Sequence, residues 1–328
     1  MPELAPPRLP TLDEIRAAQR RIAGTAVRTP LVRLEGTSDP EVWLKLENLQ
    51  PINAFKIRGA ANAVATLPEV ERARGVWTIS AGNAGQGVAY AARAAGVPAQ
   101  VLVIDTAPET KLRRMRELGA RLIPAPFDDC WQAMEARAYA GIDGTFVHPF
   151  DDHEFIAGNA SIGVEVLEDL PGARVVAAAV GGGGLTSGIG AAVKALDPAV
   201  RVVGVEPETA APAALSFLEG APQVFPKWTA SFVDGAGGKS LFPRMWERLR
   251  QVLDDVVVVT LDEVREAMRL LAERSRVIAE GAGALSVAAA LTGKLGTEGP
   301  VVCVISGGNI DLGRFCEVVG AAPADVGS

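Results

Sequence analysis

Four glycines, Gly181, Gly182, Gly183 and Gly184, follow the apolar run Val175–Val180 and precede Leu185-Thr186-Ser187-Gly188. A strand, a glycine run and a helix start make a phosphate cradle. Glycines let backbone N–H groups approach an anion closely, and the helix dipole favours negative charge there. A plain turn between strand and helix needs one or two glycines, so four favour the phosphate. Glu206 lies at a distance that suits a dinucleotide site, but the G-x-G-x-x-G spacing fails: counting from Gly181 the sixth position is Thr186, and from Gly182 it is Ser187. No Gly-Lys-Ser/Thr follows, so a P-loop fails too. A phosphomonoester fits best.

An amine is the second ingredient. The chain has only seven lysines, and arginine carries most of its positive charge. Lys56 stands in Asn53-Ala54-Phe55-Lys56-Ile57-Arg58-Gly59, between apolar neighbours at a helix start. Desolvation and the positive helix end both lower an amine pKa, which suits Schiff-base chemistry. Local context alone favours the plainer reading, a lysine whose stem packs on the core while its head reaches water. Two further loops could hold polar ligands. Ser80-Ala81-Gly82-Asn83-Ala84 follows an apolar run and offers N–H donors to a carboxylate; an N-cap is its ordinary alternative. Ser306-Gly307-Gly308-Asn309 follows Val301–Ile305, and strand C-termini are where open α/β sheets bind ligands. It reads equally as a glycine turn.

The elements that must position these residues alternate. Thr11-Leu12-Asp13-Glu14 is a capping box, so a helix runs from there to about Ile22. Strands are predicted at 42–47, 75–79, 100–104, 121–124 and 145–148, and again at 175–180, 201–206, 256–260 and 300–305. Between them fall helices at 55–67, 84–95, 108–118 and 130–140, the last three closed by Gly96, Gly119 and Gly141. Later helices run from the glycine loop to Leu196, over 262–275 and over 284–291, and residues 220–242 read as loop. This alternation implies parallel sheets in two α/β lobes.

Composition agrees with a folded enzyme. The chain has 328 residues, 48% hydrophobic and 22% charged, which excludes disorder as its main character. Its net charge of −7 disfavours nucleic acid and anionic membrane surfaces as partners. The N-terminus lacks the apolar region of a signal peptide, and no apolar stretch approaches ~20 residues. Cys130, Cys303 and Cys316 have no metal-ligand spacing and suit a reducing cytoplasm.

The four segments around Lys56, Asn83, Gly181–Gly184 and Ser306, in this order, resemble the fold-type II pyridoxal-phosphate enzymes. The closest likeness is to the serine/threonine dehydratase branch, with threonine deaminase and serine racemase. Leu46–Pro51, Val147–Asp152 and Val203–Glu208 add smaller echoes, and the likeness spans about Thr11 to Val319. It implies a two-lobed α/β fold like the tryptophan synthase β chain, each lobe a mostly parallel sheet flanked by helices. Residues 1–41 and 150–328 would form the larger, phosphate-binding domain, and 42–149 the smaller one carrying Lys56 and the substrate loop. The implied cofactor is pyridoxal 5'-phosphate and the implied assembly a homodimer.

The resemblance also assigns roles. Lys56 matches the Schiff-base lysine that later moves the Cα proton. Gly181, Gly182, Gly183, Gly184 and Leu185 match the phosphate loop, and Asn83 the asparagine beside the cofactor hydroxyl. Ser80, Ala81, Gly82, Asn83 and Ala84 match the loop that holds the substrate carboxylate. Ser306 matches the residue facing the pyridine nitrogen, a neutral hydroxyl that suits β-elimination. The sequence departs from the family at Ile52-Asn53-Ala54, where Thr-Gly-Ser is usual, and at Ala84, where histidine is usual. Glu206 keeps one ligand of the family's cation site, but Pro212 replaces an aspartate six residues on, so no family-type metal is expected. The C-terminal regulatory domain of biosynthetic threonine deaminases is expected to be absent. The implied reaction is dehydration and deamination of a threonine- or serine-type amino acid to a 2-oxo acid and ammonia. The alternatives are a serine or aspartate racemase and a β-replacement transferase of the cysteine synthase type. The racemases carry a serine where this chain has Ala81.

Overall fold

A computed structural model describes residues 4–37 and 40–320. Residues 1–3, 38–39 and 321–328, which belong to the predicted larger unit, lie outside the described residues. Ten strands form two sheets among those described. The strands are β1 (Leu31–Arg33), β2 (Val42–Lys45), β3 (Val76–Ile79), β4 (Ala99–Ile104), β5 (Arg121–Ala125), β6 (Thr145–Phe146), β7 (Val175–Ala179), β8 (Arg201–Pro207), β9 (Asp255–Val259) and β10 (Val301–Val304). The helices are α1 (Leu12–Ile22), α2 (Lys56–Thr66), α3 (Glu69–Arg74), α4 (Asn83–Ala95), α5 (Glu109–Glu117), α6 (Phe127–Ala136), α7 (His153–Asp169), α8 (Gly184–Leu196), α9 (Pro212–Glu219), α10 (Pro243–Leu249), α11 (Leu261–Ser275), α12 (Gly281–Leu291) and α13 (Leu312–Gly320).

The larger sheet runs β1-β2-β10-β7-β8-β9 and the smaller β5-β4-β3-β6. Every pairing is parallel except β1 with β2, in keeping with the predicted architecture. The buried central strands read as continuous apolar runs, such as Val175–Ala179, because helices cover both faces.

One boundary differs from expectation. The sequence places the strand at Val42 with residues 42–149 in the smaller unit, but β2 pairs in parallel with β10, Val301 opposite Val42, inside the larger sheet. Its side chains Val42 and Leu44 enter the larger core with Val175 and Cys303. Local alternation identifies a strand and says nothing of its partner. Helix α6 is also shifted from the predicted 130–140. It starts after Pro126, carries Asp128 and Asp129 in its first turn, and ends at Arg137 in the left-handed region (φ 52°), before Gly141.

Helix α2 lies between the lobes. It packs on α4 of the smaller lobe and crosses α7, and the crossing is close enough to require glycine. A Cβ on Gly59 would lie 2.3 Å from the Phe155 ring, and one on Gly158 would lie 2.3 Å from the Arg58 carbonyl. No helix among the described residues is long and apolar enough to cross a membrane.

Candidate active site

A cavity of about 570 Å³ lies between the two lobes. Its walls bring together Lys56, the Ser80–Ala84 loop, Gly181–Gly184 with Leu185, and Ser306. The residues that the resemblance assigns to cofactor and substrate therefore face one space, and Glu206 is not among its walls.

Backbone bonds explain how α2 is aimed there. Phe55 N donates to the Ser306 carbonyl (3.0 Å), and Gly308 N donates to the Asn53 carbonyl (2.9 Å). The segment before Lys56 is thus laced to the loop after β10. Lys56 sits between the Phe55 and Phe155 rings, Nζ 5.2 and 5.4 Å from their centroids. Nζ donates to the Pro149 carbonyl at 2.6 Å. Desolvation, with no carboxylate opposing it, pushes the amine down to about 8. About one amine in ten is then unprotonated at pH 7. That is the condition for a nucleophilic or basic lysine.

The glycine loop is shaped from behind by Phe150. A Cβ on Gly182 would lie 2.3 Å from that ring, and Gly183 adopts φ +87°. Alanine would fail at both positions. The first N–H groups of α8 have no acceptor within the helix, and they open beside the cavity that Gly181–Leu185 line. A cradle without side chains at a helix N-terminus fits a phosphate. A buried, desolvated lysine and a neutral hydroxyl at Ser306 complete the fit to pyridoxal 5'-phosphate.

In the Ser80–Ala84 loop, Gly82 N donates to Ser80 Oγ at 3.0 Å, which bends the chain into α4. Asn83 Nδ2 donates to Glu280 Oε1 at 2.7 Å, and Asn83 Oδ1 accepts from Asn309 Nδ2 at 2.7 Å. Asn309 Nδ2 also donates to the Ile52 carbonyl at 2.8 Å. Asn309 ends the Ser306–Asn309 loop that the sequence offers as a ligand loop, whereas Glu280 lies in no such loop. Glu280 stands at the N-cap of the alanine- and glycine-rich helix α12 and is the one charged residue between Val277 and Leu291, and that isolation was the available signal. Burial, reinforced by Asp234, pushes its carboxyl up to about 7. From opposite lobes, Lys111 on α5 and Asp234 both line the cavity and form an ion pair.

The family model described as "Pyridoxal-phosphate dependent enzyme" matches residues 22–307. The L-threonine ammonia-lyase of Thermotoga maritima is 42% identical over 316 residues, covering 94% of this chain and 78% of that protein. Among solved structures, a threonine deaminase from T.th. superposes with a TM-score of 0.85 at 34% identity, covering 92% of this chain and 99% of that one. Maize serine racemase superposes at 0.86 with 30% identity, covering 94% and 98%. The family named by the matching model thus has its two requirements, a buried lysine and a glycine phosphate cradle, met in one cavity here, and the chain belongs to the pyridoxal-phosphate-dependent enzymes.

Proposed function

We propose that this protein is an ammonia-lyase that dehydrates and deaminates a β-hydroxy amino acid, with L-threonine and L-serine as substrates. The observation that carries the reading is the amine of Lys56, desolvated and without a counter-charge, in the cavity that the glycine loop lines. The names of the relatives, threonine ammonia-lyase and threonine deaminase, support the substrate class. Bound pyridoxal phosphate supplies an electrophilic carbon for amines and an electron sink for charge left on Cα.

The chain's own residues supply the rest. Gly181–Gly184 and Leu185 would hold the phosphate, Asn83 the ring hydroxyl, and Ser306 the ring nitrogen. The Ser80–Ala84 loop would hold the substrate carboxylate. Lys56 Nζ would anchor the cofactor and, once free, would take the Cα proton. Loss of the β-hydroxyl as water, followed by hydrolysis, leaves a 2-oxo acid and ammonia. The protein works in this reading as a cytoplasmic homodimer, which light scattering would check.

The test is incubation with L-threonine, L-serine and 3-hydroxyaspartate, measuring 2-oxo acid and ammonia. L-Threonine should yield both in equal amounts. Failure of all three substrates to yield a 2-oxo acid would overturn the reading. Borohydride should fix the cofactor on Lys56, seen by peptide mass spectrometry; a label on another lysine would remove the site assignment.

A further inference from the structure

The turn Val147–Asp152 joins β6 of the smaller sheet to α7 and is held by an unusual set of charges. Asp151 is 3% exposed and meets three arginines. Arg137 Nη2 donates to its Oδ2 (2.6 Å) and to its carbonyl (2.7 Å). Arg244 Nε donates to Oδ2 (2.9 Å), and Arg248 Nη1 to Oδ1 (2.6 Å). Arg137 follows α6 of the smaller lobe; Arg244 and Arg248 stand on α10 of the larger. His148 Nδ1 accepts from Phe150 N (3.3 Å) and Asp151 N (3.0 Å), so its ring is neutral. Burial and Arg137 push that imidazole down to about 3, which keeps the acceptor available across the working pH range.

The turn touches both halves of the active site. Its Pro149 carbonyl accepts from Lys56 Nζ, and its Phe150 ring backs Gly182 of the phosphate loop. Packing does not fix it from every side. A second cavity of about 380 Å³ is lined by His148, Asp151, Arg137 and Arg244. Where side chains leave a void, charge-assisted hydrogen bonds must set the geometry.

We infer that Asp151 and its three arginines are positioning residues that aim the Pro149 carbonyl at the Lys56 amine and seat Phe150 behind the phosphate loop. The inference rests on Lys56 being the cofactor-binding amine. The clamp draws its donors from both lobes, so it also ties the lysine's surroundings to the way the lobes meet.

Arg137→Met separates position from charge. It removes the bonds to the Asp151 carbonyl and carboxylate and leaves Arg244 and Arg248 in place. Loss of a positive charge alone would raise the Lys56 midpoint. Loss of the carbonyl acceptor, which favours the ammonium, would lower it. His148 acts on the amine and is neutral at working pH, and Glu280, Lys111 and Asp234 line the same cavity as Lys56; both variants keep all four.

The experiment is competitive acetylation of the full-length apoprotein from pH 6 to 10, with Lys56 followed by mass spectrometry. We expect the midpoint to fall below the wild-type value of about 8, by about half a pH unit or more. In the loaded enzyme, kcat should fall while KM for the amino acid stays within about twofold, because the substrate loop is untouched. A midpoint that rises or stays put overturns the inference. If the methionine variant folds poorly, Arg137→Lys keeps the charge and loses the forked donor; the clamp still requires a fall, whereas charge alone requires none. Borohydride reduction of the loaded wild-type and variant enzymes distinguishes the two failures. A label away from Lys56 removes the assignment beneath the inference, and a label on Lys56 with no fall in midpoint removes the inference alone.

Discussion

Lys56 and Arg58 stand two residues apart at the start of α2, both desolvated, and their environments make them opposites. Arg58 is 1% exposed and is met by two carboxylates. Its guanidinium donates to Glu47 through Nε and Nη2 (both 2.8 Å) and to Glu165 through Nη1 (2.7 Å) and Nη2 (2.8 Å). Lys45 Nζ adds a second cation on Glu165 at 2.6 Å, so two cations face two anions. Burial works against the Arg58 charge, but Glu47 and Glu165 outweigh it and raise its pKa. Burial likewise opposes the Glu47 charge, and Arg58 reverses that, leaving the carboxyl below its ordinary value. Lys56 has no such partner and is pushed down instead. Desolvation with a counter-charge fixes a helix to its neighbours. Desolvation without one makes a reactive base.

The largest expected effect breaks the reactive half. On the proposed function Lys56→Ala removes both the amine that would bind the cofactor and the Cα base, so 2-oxo acid production should fall about a thousandfold or more. The melting temperature of the apoprotein should not fall with it, because no buried anion loses a partner. Arg58→Met breaks the other half and should do the reverse. It leaves Glu47 and Glu165 buried with Lys45 alone, a loss of about 3–5 kcal/mol in denaturant unfolding. The double variant Glu47→Gln/Arg58→Met should lose less than the sum of its parts, since the uncompensated charge goes with its partner. Additive losses would mean that the cluster is not one electrostatic unit.

The sequence exposed these two residues unequally. Lys56 stood out because lysines are few and its neighbours are apolar. Arg58 did not, since its partners Glu47 and Glu165 are 11 and 107 residues away. The same limit hid Glu280 and the Asp151 clamp, which are assembled only by the chain crossing between lobes. Most strands and the longer amphipathic helices were legible from their periods, but the three-residue β1 and the short α3 and α13 were not. Helix α7 was not, because Phe155–Val166 are all buried and no polar stripe marks a period. Helices α9 and α10 were not assigned from the sequence, although Pro212 and Pro243 stand at their starts, where proline is favoured.

Ala81→Ser sharpens the reactive half. Lys56 is the one lysine of the α2 start, and Ala81 in the facing loop offers only a methyl group to the cavity. Racemisation needs a second group that exchanges a proton with Cα from the other side. A serine hydroxyl at residue 81 would supply it. Chiral analysis of residual serine should find the D-enantiomer increased about tenfold or more over wild type, at the expense of pyruvate. A wild-type enzyme that already racemises serine as fast as it dehydrates it would refute the lyase assignment.

The smallest expected effect extends the comparison to an anion without a cation. Glu206 is fully buried, and its two carboxylate oxygens accept from Ala213 N (3.0 Å) and Ala214 N (2.8 Å) at the start of α9. Burial outweighs those bonds and pushes the carboxyl up to about 8. A folded-state pKa above the ordinary 4.5 gives stability that is complete below pH 4.5 and is lost as pH rises through about 8. Unfolding free energy should therefore decline from pH 5 to pH 8.5, with Glu280, also raised, contributing to the same slope. Glu206→Gln cannot ionise, and it should flatten the decline. Both Glu206 oxygens are engaged by the helix and Pro212 offers no ligand, so EDTA should leave the melting temperature unchanged at pH 8. A loss of several degrees restored by Mg²⁺ would mean that a cation, not the helix end, is the partner this carboxylate uses, and the slope in Glu206→Gln would then depend on that ion.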